Sequence, residues 1–95
     1  MSTVEATSRD CVEHESTIQL SLGKRIRDLR RKKNLSQENL AYEIGIDRTY
    51  IASVENGKRN VSIKIMEKFW KYFKLTPSEF FDDPVFHLGA DDAED

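Results

Sequence analysis

A single cysteine, Cys11, leaves this chain without an intramolecular disulfide, so what holds it together is apolar packing within the chain or against a second subunit. No apolar run approaches the roughly 18 residues of a membrane-spanning helix. The start, MSTVEATSRDCVEHEST, has neither the basic nor the apolar segment of a secretory leader, and a reducing cytoplasm, bacterial or phage-borne, is the expected compartment. Histidine is scarce. Cys11 and His14 stand three apart, half of a zinc site, but a closed site needs four ligands and His87 is the only other histidine. An exposed thiol and imidazole are the simpler account, so no metal or cofactor is expected. Catalytic machinery is missing too: there is no glycine-rich phosphate loop, Cys11 has no base fixed beside it, and paired carboxylates occur only in the acidic ends. The expectation is a binding protein of one small domain, 95 residues long, and not an enzyme.

The net charge of −2 conceals a strong division along the chain. Residues 1–17 carry −3 and residues 75–95, with seven acids and no base, carry −7. Residues 18–74 hold fourteen bases against six acids, a charge of +8. Because attraction to phosphate is screened within about 8–10 Å at ordinary salt, that middle segment attracts nucleic acid despite its acidic flanks.

Within the basic segment, QENLAYEIGIDRTYIASVEN (residues 37–56) has the spacing of two short helices joined by a tight turn. Leu40, Ala41, Ile44, Ile46, Ile51 and Val54 fall at its inward positions. Ala41 is small enough for two helices to cross closely. Gly45 suits a left-handed helix end, and Asp47 suits the cap of the second helix. Turn, caps and apolar spacing together specify a helix-turn-helix.

The flanking segments are helical as well, which makes the expected fold all-α. Over residues 18–33, Ile18, Leu22, Ile26 and Leu29 mark one helix face, with Ser21 or Thr17 as its cap and Asn34 as its left-handed end. Lys24, Arg25, Arg27, Arg30, Arg31, Lys32 and Lys33 surround that face and together suggest attraction toward phosphate. Ser36 caps the first motif helix and places Gln37 in its first turn, where backbone N–H groups favour an anion. Gly57 stops the second motif helix before a basic loop, Lys58–Asn60. Ser62 caps a fourth helix reaching about Lys74. Its Ile63, Met66, Phe69, Trp70 and Phe73 make one stripe, and Ile65, Phe69 and Tyr72 make a second. A helix apolar on two sides is usually covered on both, so Ile65, Phe69 and Tyr72 are candidates for a dimer contact. Thr76-Pro77-Ser78-Glu79 combines cap, first-turn proline and capping-box glutamate, starting a short fifth helix through Phe80 and Phe81. The expected organisation is an N-terminal arm over 1–17, a helix-turn-helix domain over 18–82 and an acidic tail over 83–95.

With Leu35-Ser36-Gln37, Leu40-Ala41, Ile51, Val54-Glu55-Asn56-Gly57-Lys58 and Arg59 in place, the chain resembles the lambdoid-repressor family of helix-turn-helix regulators over about residues 20–82. The resemblance implies a compact five-helix bundle with the second motif helix in the major groove. Asp47-Arg48-Thr49-Tyr50-Ile51, with the small size, is similar to the controller proteins of bacterial restriction-modification systems, dimers that govern their own gene and the endonuclease gene. Carried over by position, Gln37 matches the glutamine that bonds a backbone phosphate. Arg48, Thr49, Ala52 and Ser53 match the positions facing base edges, and Asn56, Lys58 and Arg59 those that contact phosphate. Arg30 and Glu55 match a structural ion pair. Tyr50 either bonds a phosphate or packs at the helix edge. Trp70 departs from the family, which often has a small residue there. Independently of the family, Arg48 and Thr49 lie on the face opposite Ile51 and Val54. Arginine pairs with guanine, and threonine offers a hydroxyl to an acceptor and a methyl to thymine.

The expected function is a homodimeric, sequence-specific transcriptional regulator, repressor or activator, on a pseudopalindromic double-stranded DNA operator. Its half-sites would lie about 10 base pairs apart. RNA polymerase is a candidate partner through Glu43 by analogy. The alternatives are a phage-type repressor, a plasmid maintenance regulator, or an antitoxin-like module that binds a protein partner.

Overall fold

Local signals account for where each helix starts. The computed structural model describes residues 17–87, and the expected arm with Cys11 and His14 lies outside them, as does the terminal DDAED. The described elements are α1 (Thr17–Lys32), α2 (Gln37–Ile44), α3 (Arg48–Glu55), α4 (Ile63–Tyr72) and α5 (Pro77–Phe81), followed by a 3₁₀ turn, Pro84–Phe86. Ser36, Asp47, Ser62 and Thr76 each cap a helix by accepting a backbone N–H, from Asn39, Thr49, Ile65 and Glu79 respectively. At Thr76 the capping box is complete, since Glu79 Oε1 accepts the Thr76 N–H at 2.8 Å.

The first four helices also end alike. Asn34, Gly45, Gly57 and Lys74 are left-handed, with φ of 57°, 72°, 75° and 61°. In each case the following N–H donates back across the last turn: Leu35 to Arg30, Ile46 to Ala41, Lys58 to Ser53 and Leu75 to Trp70. This is the Schellman arrangement, in which the residue after the left-handed one commonly makes an apolar contact. Leu35, Ile46 and Leu75 do so against the core. Lys58, after the second motif helix, is exposed instead. The stop at Tyr72, with Lys74 left-handed, falls two residues short of the expected end of α4.

Leu22 and Ile26 of α1, Leu40 and Ala41 of α2, Ile51 and Val54 of α3, Phe69 of α4 and Phe80 of α5 form the core. Two expectations fail here, Phe69 as a dimer contact and Ser21 as a cap. Phe69 is fully buried within its own chain, so its side chain has no surface for a partner. Ile65 and Tyr72 are half-buried against the same core, and the second stripe of α4 is covered mainly by its own domain. Ser21 is no cap, because α1 begins at Thr17; its hydroxyl donates to the Val85 carbonyl at 2.9 Å. Ile18 is 57% exposed because the first turn of α1 runs out along a groove that the other described residues leave open.

Ser21 also shows that the folded unit continues beyond residue 82. Arg25 is buried beneath the C-terminal turn, donating to the carbonyls of Phe80 at 2.7 Å and Glu79 at 3.0 Å and to Asp83 Oδ2 at 3.0 Å. Phe86 packs on the core, and Trp70 finds its place between Phe80 and Phe81, ring centroids 6.0 and 6.3 Å away. Asp83–Phe86 thus belong to the domain, not to a tail.

Gly23 sets the distance between α1 and α3. A Cβ there would lie 2.4 Å from the Val54 carbonyl oxygen and 2.7 Å from that of Glu55, both backbone atoms that cannot swing aside. Gly23→Ala gains about 1 kcal/mol of helix propensity but forces α1 away from α3. Overpacking of that kind costs about 1–3 kcal/mol, and the expected net effect is a lower urea midpoint; an unchanged or higher midpoint would show that the two helices separate freely.

Candidate nucleic-acid interface

Ile51 and Val54 are buried, which turns the opposite side of α3 outward. Arg48 and Thr49 are exposed there, and Ala52 and Ser53 are half-buried one turn further on. Asp47 Oδ2 accepts the Thr49 N–H at 2.9 Å and ties down the first turn. Beyond the C-terminal end of α3, Lys58 and Arg59 are exposed. The Arg59 guanidinium lies 4.7 Å from the centroid of the half-buried Tyr50 ring, so Tyr50 packs at the helix edge as a platform for that cation.

A buried carboxylate joins α3 to the rest. The Glu55 side chain is fully buried and the Arg30 side chain nearly so. Arg30 Nε donates to Glu55 Oε2 at 2.6 Å and Nη2 to Oε1 at 3.0 Å, a two-pronged pair, while Nη1 donates to the Leu35 carbonyl at 2.7 Å. Gln37 Nε2 donates to Glu55 Oε1 at 3.0 Å. Arg27 Nε approaches the same oxygen at 3.5 Å, and its Nη2 donates to the Glu55 carbonyl at 3.2 Å and to Asn56 Oδ1 at 3.3 Å. The cluster therefore joins the expected ion pair of Arg30 and Glu55 to Gln37 and Asn56, which the sequence placed in the phosphate set, and adds Arg27.

Burial alone would push the Glu55 carboxyl up. The hydrogen bonds from Arg30, Gln37 and Arg27, with the Arg30 charge, outweigh that and hold it below the usual carboxylate range. The Glu55 hydrogen bond, opposed by burial and aided by its charge, raises Arg30 in turn. Glu55 is thus a fixed anion and Arg30 a fixed cation, and the Gln37 amide is held at the start of α2 with one of its two N–H donors engaged.

The seven bases of α1 and the residue after it separate into two groups. Arg25 and Arg30 are buried and Arg27 is half-buried, all bonded inward, whereas Lys24, Arg31, Lys32 and Lys33 are exposed. The sequence marked all seven as a phosphate-attracting set, and the structure removes Arg25 and Arg30 from it. Arg25, Arg27, Ser21 and Gly23 carry roles that helical periodicity did not reveal. A glycine inside an apolar helix face was the one available signal, pointing to the close approach at Gly23.

These features define a class before any particular relative is considered: a helix-turn-helix domain whose second motif helix is braced from behind and presents a polar, basic face. A model of the helix-turn-helix family matches residues 26–80, more than half of the chain, and the protein belongs to that family. It is similar to the control protein C.MunI of a Mycoplasma species, with 46% identity over 67 residues that span 70% of this chain and 90% of that one. Among solved structures it is similar to the restriction-modification controller protein C.AhdI from Aeromonas hydrophila, at 41% identity and a TM-score of 0.65, over 70% of this chain and 100% of that one. It is also similar to the controller protein C.Esp1396I, solved as a tetramer in complex with its natural 35-base-pair operator, at 34% identity and a TM-score of 0.65, over 70% and 88% of the two chains.

Glu55 makes stability pH-dependent in a defined direction. A carboxyl whose folded pKa lies below its unfolded value, about 4.3, contributes stability that is present above that value and lost as pH falls through the folded one. The melting temperature should therefore fall as the solution is acidified below about pH 5. Glu55→Gln should flatten part of that acid limb. At neutral pH it should destabilise by on the order of 3 kcal/mol, since Arg30 then keeps its buried charge without a counterion. An unchanged acid limb in the variant would mean that other carboxylates govern it.

Proposed function

We propose that the protein is a controller-type transcription regulator that binds double-stranded operator DNA as a homodimer and governs its own promoter and that of a restriction-modification system. The observation that carries this is the outward face of α3, with Arg48 and Thr49 exposed at its N-terminus, on a helix braced from behind by a buried ion pair. Unlike Arg25, Arg27 and Arg30, Arg48 makes no ion pair among the described residues, which leaves its guanidinium available for a guanine edge. Thr49 supplies the second base contact, and Ala52 and Ser53 lie along the same face. Gln37, Asn56, Lys58 and Arg59 ring that face and suit phosphate oxygens, which fix register without carrying base information. The protein acts by binding and not by catalysis, in the cytoplasm where its DNA lies. Among the described residues no helix is long and apolar enough to cross a membrane.

The dimer face is better sought away from Ile65, Phe69 and Tyr72. Ile18 and Leu20 at the beginning of α1, Ile63 at the beginning of α4 and Phe81 at the end of α5 are exposed apolar residues. Ile18, Leu22, Val61, Met66 and Phe81 line a groove of about 310 Å³ that also reaches Arg59. Arg59, Asn60 and Val61, just beyond α3, border the same groove, so a dimer paired there would bring the ends of two recognition helices together on one operator.

Titration of the protein against its own upstream DNA and a scrambled duplex, at two salt concentrations, tests the function directly. Tighter binding upstream, retained at the higher salt, is expected; equal and steeply salt-dependent binding to both would reduce the protein to a charge-driven binder. Arg48→Ala should cost about 1–3 kcal/mol on the specific site and relax the preference at one base pair. Gln37→Ala should weaken both duplexes alike, and a changed base preference in that variant would remove Gln37 from the phosphate set. Because Ile18 is exposed in the single chain, Ile18→Glu should leave the fold intact and shift sedimentation toward the monomer; a dimer of wild-type strength would place the interface elsewhere.

A further inference from the structure

Arg27, marked from sequence as one base of a phosphate-attracting set, instead ends on the C-terminal end of the recognition helix. Asn56 follows α3 directly and is exposed, and its Oδ1 accepts from Arg27 Nη2 at 3.3 Å. The same Nη2 donates its other hydrogen to the Glu55 carbonyl at 3.2 Å, and Nε faces Glu55 Oε1 at 3.5 Å. The Arg27 fork is thus largely committed inward. A side-chain amide is planar with its oxygen and nitrogen on opposite branches, so an oxygen engaged by Arg27 turns Nδ2 and its two hydrogens away from α1.

We propose that Arg27 is a positioning residue for DNA binding: it holds Asn56 in the orientation that presents its amide N–H to a backbone phosphate. This inference rests on the proposed DNA-binding function. Without Arg27 the Asn56 amide is free to turn, and half of its rotations present an oxygen to the phosphate, which repels it. Lysine cannot replace Arg27, because a point ammonium lacks the fixed fork that spans a carbonyl and an amide oxygen at once.

The test is a double-mutant cycle with the full chain, binding read by fluorescence anisotropy on the upstream and scrambled duplexes at one salt concentration, with folding checked by circular dichroism. Arg27→Ala and Asn56→Ala should each weaken binding to both duplexes by roughly tenfold, the worth of one hydrogen bond to a charged acceptor. The double variant should be no weaker than Asn56→Ala alone, and Arg27→Lys, which keeps the charge, should behave like Arg27→Ala. If Arg27→Ala lowers the folded fraction, the cycle is run with Arg27→Lys. Independent effects that multiply to roughly a hundredfold, restoration of wild-type binding by lysine, or an Asn56→Ala variant that binds normally would each overturn the proposal. Failure of the wild-type protein to prefer its upstream duplex would instead count against the sequence-reading function, and the coupling between Arg27 and Asn56 would still be measurable on either duplex.

Discussion

The pair between Arg30 and Glu55 is the constraint on which the placement of the recognition helix depends. Two charges withdrawn from water are costly unless their geometry and remaining hydrogen bonds are satisfied. Here the two-pronged contact at 2.6 and 3.0 Å, with the Leu35 carbonyl and the Gln37 amide filling further positions, satisfies them. Among the described residues no buried side-chain nitrogen or oxygen lacks a partner. Apolar contacts between Leu40, Ile51 and Val54 hold α2 against α3 but are not directional, and a helix can slide or rotate on them at modest cost. The buried pair cannot slide. It ties α1, the turn before α2, the first residue of α2 and the last of α3 to a single carboxylate, and so sets the angle at which Arg48 and Thr49 face outward.

Charge on α1 is sorted by side-chain chemistry. Among its six bases the three bonded inward are all arginines, and the exposed group is Lys24, Arg31 and Lys32, followed by Lys33. Arginine suits the interior because its planar fork satisfies several acceptors at once and because it is less strongly hydrated than an ammonium. Arg25 uses that fork on the C-terminal turn, Arg27 and Arg30 on the recognition helix. A basic segment read only as net charge is therefore partly scaffold, and the cations it leaves exposed are Lys24, Arg31, Lys32 and Lys33 with those of α3 and the loop after it.

What was legible in the sequence was mostly local. Caps at Ser36, Asp47, Ser62 and Thr76, and the left-handed ends at Asn34, Gly45 and Gly57, depend on a few neighbouring residues, and each follows from side-chain chemistry within one turn. The outward face of α3 followed from periodicity alone. The parts that were not legible depend on contacts distant in sequence. Ser21 and Arg25 find their partners more than 50 residues away in a turn whose position no local pattern predicts. Phe69 shows the same limit from another side: the spacing identified two apolar stripes on α4, but which of them the domain covers itself is decided by helices distant in sequence. Ile18 is the converse, an apolar position on the expected face that no other described residue covers.

The end of α3 explains why polar ties are needed where they are found. Three of the four left-handed helix ends are followed by an apolar residue, Leu35, Ile46 or Leu75, which draws that end into the core. After Gly57 the equivalent residue is Lys58, exposed and positively charged. An apolar residue there would anchor the recognition helix but forfeit a cation at the edge of the binding face. With Lys58 in place the anchoring passes to α1, through Arg30 on the Glu55 carboxylate and Arg27 on the Glu55 carbonyl and Asn56. The exposed cation and the inward arginines are thus two parts of one solution: the end of the recognition helix stays fixed to the domain while its surface remains polar enough to meet phosphate.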